Sequence, residues 1–167
     1  MIKLNLGCGD DLRPGYLNCD KYNPAAQEKW DMLSIPLEDN TVDEIIAYHI
    51  IEHVSYDKAW GALREWNRVL KPNGRLRLET PDFTASCKAF AVADEKGRGA
   101  LQGHFFSRAG EDEGQLHYFL LTEEALFSIL KHNGFDRIRR LEADSSYVIG
   151  PPYTAKELML NVEAFKK

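Results

Sequence analysis

The sequence predicts an α/β fold, a twisted and mostly parallel sheet flanked by helices. Three observations lead there. Strand-like and helix-like patterns alternate along the chain, as such a sheet requires. The isoleucine-rich run from Val42 to Ile51 is almost continuously apolar, which suits a strand buried on both faces. The first strand-like run ends in Gly7-Cys8-Gly9, and open α/β sheets bind their ligands beyond the carboxyl ends of strands.

In chain order, Ile2 to Leu6 reads as a first strand and Tyr16 to Cys19 as a short second one, closed by Asp20. Lys29 to Asp31 is a candidate third strand, and the Val42 to Ile51 run a fourth. Ser55 to Leu70 reads as an amphipathic helix, with Ser55 as its cap and Trp60, Leu63, Trp66 and Leu70 at helical spacing. Pro72-Asn73-Gly74 stops it, and Arg75 to Thr80 follows as a strand in which Leu76 and Leu78 alternate with polar residues. Phe83 to Ala93 reads as a helix. Asp94 to Gln115 carries Gly97, Gly99, Gly103, Gly110 and Gly114 among charges and reads as a loop; loops of that length are usually functional. Thr122 to His132 is a helix with a threonine cap, Glu123 and Glu124 at its positive end and Gly134 beyond it. Phe135 to Glu142 and Glu157 to Phe165 alternate like strands, with a turn at Pro151 and Pro152 between them.

The 167 residues fit a single domain over 1–167, with a loop insertion at about 94–118. The hydrophobic share of 44% and charged share of 28% are those of an ordinary soluble chain. A formal charge of −5 argues against a dedicated nucleic-acid binder. The basic trio Arg137, Arg139 and Arg140 reads as an exposed strand edge. Cys8, Cys19 and Cys87 lack metal-ligand spacing and read as small core residues of a reducing compartment. No leader segment is visible and no apolar run is long enough to span a bilayer, so a cytoplasmic location and no membrane partner are expected.

Glycines at a strand end let a ligand approach the backbone closely. Asp20, where the second strand ends, can accept bonds from two ribose hydroxyls, although a turn aspartate has the same residue type. Asp31 adds a further carboxylate on the same sheet edge. One acidic group per strand end is more than folding requires.

Leu4-Asn5-Leu6-Gly7-Cys8-Gly9, then Asn18-Cys19-Asp20, Trp30-Asp31-Met32 and Val42-Asp43-Glu44-Ile45-Ile46 resemble class I S-adenosylmethionine-dependent methyltransferases. His49-Ile50-Ile51-Glu52-His53-Val54 and the stretch from Glu65 to Leu76 continue the likeness, as does Leu130 to Phe135. The resemblance implies a three-layer Rossmann-like methyltransferase sheet, mostly parallel with an antiparallel last strand. It implies S-adenosylmethionine as cofactor and S-adenosylhomocysteine as product. Gly7 and Gly9 would line the methionine part, Asp20 would hold the ribose, and Asp31 would face the adenine with Met32 near the ring. His49 would sit at the methionine end, and Thr80-Pro81-Asp82 would border the acceptor. The chain departs from the family where only Asp10 to Tyr16 separates the glycine turn from the second strand, too few residues for the usual helix. It also opens directly on the first strand, which leaves the 94–115 segment as the expected lid.

Methyl transfer to a small-molecule or sugar acceptor needs alignment and, for many acceptors, a base. His117 is the first candidate, with Asp82, His104 and His49 behind it; His117 can equally be a packing residue. A cofactor-binding module without catalysis is the alternative reading. His49-x-x-Glu52-His53 also matches a zinc-hydrolase pattern. The strand reading of the preceding run stands against that, and no metal is expected.

Overall fold

A computed structural model describes residues 1–106, 115–144, 148–150 and 153–167. Six strands form the main sheet: β1 (Lys3–Leu6), β2 (Leu17–Cys19), β3 (Val42–Tyr48), β4 (Leu70–Pro81), β5 (Phe135–Leu141) and β8 (Met159–Lys166). A small hairpin of β6 (Val148–Gly150) and β7 (Tyr153–Thr154) lies apart from it. The sheet order is β2-β1-β3-β4-β8-β5. β1 pairs in parallel with β2 and β3, and β3 with β4; β8 runs antiparallel to both its neighbours. This is the expected sheet, mostly parallel with an antiparallel last strand in the chain.

Strict alternation sorts the side chains onto two unlike faces. On one stand Leu4, Leu6, Ile45, Ala47, Leu76, Leu78, Val162 and Ala164, all buried. They pack with α1 (Tyr56–Val69) through Ala62, Leu63 and Trp66, and with α4 (Glu123–His132) through Leu126, Ile129 and Leu130. Trp66 is fully buried, and its indole N–H donates to the Met32 carbonyl at 3.0 Å.

The other face is polar. Glu44 is its centre: Lys3 lies 3.2 Å away, Arg75 2.8 Å, and the Tyr16 hydroxyl donates to it at 2.8 Å. Burial raises the Glu44 pKa, but the hydrogen bonds from Tyr16 and Arg75 outweigh it and hold the carboxyl below its usual range. Further along, Arg139 pairs with Glu163 at 2.6 Å. Parallel sheets ordinarily carry helices on both faces. Here residues 10–16, between β1 and β2, form turns instead of a crossover helix, and the ion pairs clothe the face. Helices cover only one end of it. By alternation Met159 shares a side with Asn161 and Glu163, and it packs with Ala89 and Phe90 of α2 (Phe83–Val92) and Leu101 of α3 (Glu95–Phe106).

Several expectations need correction. Lys29 to Asp31 is no strand: only isolated bridges form, Cys19 with Glu28 and Asp31 with Ser34. β3 stops at Tyr48, because His49 takes a left-handed φ of 52°, and Ile51–His53 make a 3₁₀ turn. Ser55 stands at the start of α1 but its side chain makes no cap bond. The helix yields directly to β4 at Leu70, and Pro72-Asn73-Gly74 is an irregularity inside that strand, with Asn73 at φ 62°. A short helix, α5 (Ala155–Leu158), precedes β8.

The largest difference is α3, which occupies most of the expected loop. Its glycines each cost about 1 kcal/mol relative to alanine. Burial of Leu101 and His104, and the bond from the Gly97 N–H to Asp94 Oδ1 at 2.7 Å, work against that cost. The rest of that loop, 107–114, and the turn at Pro151 and Pro152 lie outside the described residues. Cys8 and Cys19 are buried as expected, but Cys87 is exposed. The basic trio does lie on edge strand β5, where Arg137, Arg139 and Arg140 each meet a carboxylate.

Trp66 is the largest side chain holding α1 to the sheet. Trp66→Ala is expected to destabilise the chain by about 3 to 5 kcal/mol, measured by urea unfolding.

Candidate functional site

The site begins where β1 ends. Gly7 has φ +60° and Gly9 φ +46°, the left-handed region that other residues resist. Gly7 has a second reason to be glycine: a Cβ there would lie 2.2 Å from Ile50 Cδ1. Buried Asn5 holds the short 10–16 segment in place of a helix. Its amide donates to the Asp11 carbonyl at 2.7 Å and to Asn18 Oδ1 at 2.9 Å, and Asn18 Oδ1 also accepts from the Arg13 N–H.

Asp20 closes the turn from the neighbouring strand. Its Oδ2 accepts from the Gly9 N–H at 3.0 Å, and its Oδ1 from the N–H groups of Tyr22 and Asn23, both at 2.8 Å. Burial pushes the carboxyl up, yet these three amides bring it below its usual value. Asp20 is thus a turn aspartate as well as a wall of the cavity. Asp31 accepts from the Leu33 N–H and pairs with Lys21 at 2.9 Å. Met32, beside it, is almost wholly buried.

These residues surround one cavity of about 1250 Å³. Gly7, Gly9, Asp20, Asp31 and Met32 line it, and His49 and His53 stand at its other end. The structure therefore brings every expected cofactor-binding residue to a single space.

At the histidine end lie two fully buried carboxylates, Glu52 and Glu79. His49 reaches both: its Nε2 is 3.2 Å from Glu79 Oε1 and its Nδ1 3.6 Å from Glu52 Oε1. Burial alone would lower the His49 pKa, but the two carboxylates push it up to about 9. A histidine already protonated at neutral pH is not a base there, which removes His49 from that role. Burial raises the Glu52 carboxyl, yet the His49 bond and charge, with the electrostatic influence of His53 and His117, bring it down to about 2.

The other candidate bases have distinct surroundings. Asp82 caps α2, accepting from the Ala85 N–H at 3.0 Å, and pairs with Arg140 at 3.0 Å. His104 is buried in α3 against the Ser86 hydroxyl at 3.1 Å, and burial pulls it down to about 4. The His117 Nδ1 meets the His104 carbonyl at 2.9 Å, and burial lowers its pKa too. Its neighbour Tyr118 and nearby Gln115 line the cavity, and the Tyr118 N–H donates to the Glu52 carbonyl at 2.9 Å. Sequence reasoning missed Glu79, whose one signal is a polar residue in a strand that buries its neighbours. It also missed Asp144, which meets Arg13, Arg77 and Tyr48 at 3.1 to 3.3 Å on the rim.

Residues 7–78 match the family model described as a methyltransferase domain. No curated protein matches the chain. A possible exported protein from Bordetella parapertussis is similar in structure, with TM-score 0.63 and 16% identity over 99% of this chain and 61% of that one. The chain thus spans less than two thirds of that protein's length. A SAM-dependent methyltransferase from Archaeoglobus fulgidus is similar at TM-score 0.62 and 16% identity, covering 98% of this chain and 85% of its own. Another, from Methanosarcina mazei, is similar at TM-score 0.61 and 18% identity, covering 98% and 91%. Residues 7–78 are thus similar to a methyltransferase domain, and the chain as a whole shares the fold of these solved structures. Among the described residues, no helix is long and apolar enough to cross a membrane.

The two glycines make separable demands. Gly9→Ala meets open space and is expected to cost only the left-handed strain, about 1 to 2 kcal/mol. Gly7→Ala adds the clash with Ile50, about 1 to 3 kcal/mol more. Urea unfolding of the two variants, side by side, checks the order.

Proposed function

We propose that this chain binds S-adenosylmethionine across the ends of β1, β2 and β3 and transfers its methyl group to a small-molecule or sugar acceptor. The observation that carries the reading is the convergence of Gly7, Gly9, Asp20 and Asp31 on one cavity. Gly7 and Gly9 would bring the backbone against the methionine part. Three amides hold the Asp20 carboxylate still, and a carboxylate has about four acceptor sites, so capacity remains for a ribose hydroxyl. Asp31 would accept from the adenine amino group while Met32 packs near the ring.

Bound there, S-adenosylmethionine supplies a methyl group already activated by its sulfonium. The chain's own task is to orient the acceptor and handle its proton. His117 precedes Tyr118 in the chain and packs against His53, two residues that line the cavity, which favours it over Asp82 and His104. It would act as base or orient the acceptor. The reading includes no nucleic-acid or membrane partner and a cytoplasmic setting, in keeping with the chain's acidity and its free thiols.

Titration calorimetry with S-adenosylmethionine tests the cofactor. Asp20→Ala is expected to weaken binding by about 1 to 3 kcal/mol, the cost of unpaired hydroxyls. An unchanged affinity in the folded variant would show that Asp20 serves the turn alone. His117→Asn is expected to bind cofactor normally and, once an acceptor is found in a panel of metabolites and glycans, to turn over about 10² to 10⁴ times more slowly. Unchanged turnover would make His117 a packing residue.

A further inference from the structure

The zinc-like pattern His49-x-x-Glu52-His53 does not assemble in the way its spacing suggests. β3 ends at Tyr48, and His49 turns toward Glu79. Glu52 and His53 instead meet His117, which comes from far along the chain. One ligand atom from each of Glu52, His53 and His117 lies within 4.8 Å of the other two. We propose that these three residues form a binding site for a divalent first-row transition cation such as Zn²⁺ or Co²⁺.

Three independent features support the site. The first is Glu52, fully buried beneath the cluster. Its Oε2 accepts from the Thr80 hydroxyl at 3.1 Å, while its Oε1 accepts no close hydrogen bond and has only the long ion pair to His49 Nδ1 at 3.6 Å. A buried carboxylate oxygen with so loose a partner keeps acceptor capacity, which a cation fills well.

The second is the orientation of the two histidines. The His53 Nδ1 meets the Leu116 carbonyl at 3.2 Å, and the His117 Nδ1 meets the His104 carbonyl at 2.9 Å. A carbonyl can only accept, so each ring donates through Nδ1 and, in its neutral form, carries its lone pair on Nε2. Metal-bound histidines are held in this manner, one nitrogen on the metal and the other N–H on a carbonyl or carboxylate. The two rings are thus held through the same nitrogen, with their centroids 4.9 Å apart and their planes inclined at 60°.

The third is the chemistry of the set. Two imidazole nitrogens and one carboxylate oxygen suit Zn²⁺, Co²⁺, Fe²⁺ or Ni²⁺ better than Ca²⁺ or Mg²⁺, which take oxygen ligands. Metal–ligand bonds of about 2.0 to 2.2 Å require the donors to draw inward on binding. His53 and His117 are only partly buried and can do so. Three protein ligands leave coordination positions for water or for an oxygen of a molecule in the cavity, which His53 lines. The site stands independently of the methyl-transfer reading. If both hold, His117 acts on the acceptor through the cation and not as a base.

Cobalt is the probe. The whole chain, stripped with a chelator and freed of it, is titrated with Co²⁺ alone while its visible absorption is followed. The expected result is saturable uptake of one ion per chain, displaced by Zn²⁺. His53→Asn and His117→Asn should each lower affinity by at least about 10- to 100-fold. His132→Asn, whose ring bonds to the Ser128 carbonyl on α4, should leave it unchanged. Glu52→Gln should act like the histidine variants. Because Glu52 is buried, that variant counts only if its circular dichroism matches the parent, and the two histidine variants decide the matter without it. No saturable uptake, or full affinity in either histidine variant, overturns the proposal.

Discussion

Two carboxylates, Glu52 and Glu79, lie fully buried at the ends of β3 and β4, and the site is built around compensating their charge. An uncompensated buried carboxylate is among the costliest groups a fold can hold. His49 answers both, at the expense of a left-handed backbone that ends β3. That break starts the 3₁₀ turn, which swings Ile50 over Gly7 and so forbids any side chain there. The Glu79 Oε2 accepts from the Asp144 N–H at 2.7 Å, which draws the rim loop after β5 to the same point. The 115–118 segment is tied on by the Tyr118 N–H and the Leu116 carbonyl. The cavity, its rim and the histidine cluster thus share one electrostatic root.

The second constraint is the missing crossover helix between β1 and β2. A parallel sheet that loses a helix exposes one face, and the chain makes that face polar. Lys3, Glu44, Arg75, Arg139 and Glu163 form rows of ion pairs across the strands, and Arg13 and Arg77 lie over the Tyr48 ring. In each pair the basic partner reaches solvent while the carboxylate of Glu44 or Glu163 is buried. Their value here is to make an open face soluble while Asn5 and Asn18 keep the glycine turn in shape. The glycine-turn end of the cavity is therefore braced by side-chain amides where a helix would ordinarily stand.

Much of this could be read from local pattern. The alternation of Arg75, Leu76, Arg77 and Leu78 marks a strand with one apolar face, and Thr122 accepting from the Ala125 N–H confirms a cap that its residue type announced. That Gly7, Gly9 and Asp20 stand at the ends of β1 and β2 was legible because such positions follow from neighbours in sequence, whereas Asp31 lies beside the same cavity without the strand expected there. The helix α3 was not legible: its glycines oppose helix locally, and only burial of Leu101 and His104 against distant groups reverses the balance. The ion pair of Asp82 was not legible for the same reason, since its partner Arg140 arrives from β5.

The sequence by itself determined the α/β order, the apolar face of each strand and the strand ends where a ligand would bind, because periodicity and glycine conformation act over a few residues. Only the tertiary structure decided which charges meet. His49 faces Glu79 across the β3–β4 boundary, and His53 faces His117 across more than sixty positions of chain. Such pairings are settled by the free energy of burying charge. That free energy exists only once the sheet has closed around the groups and removed their water.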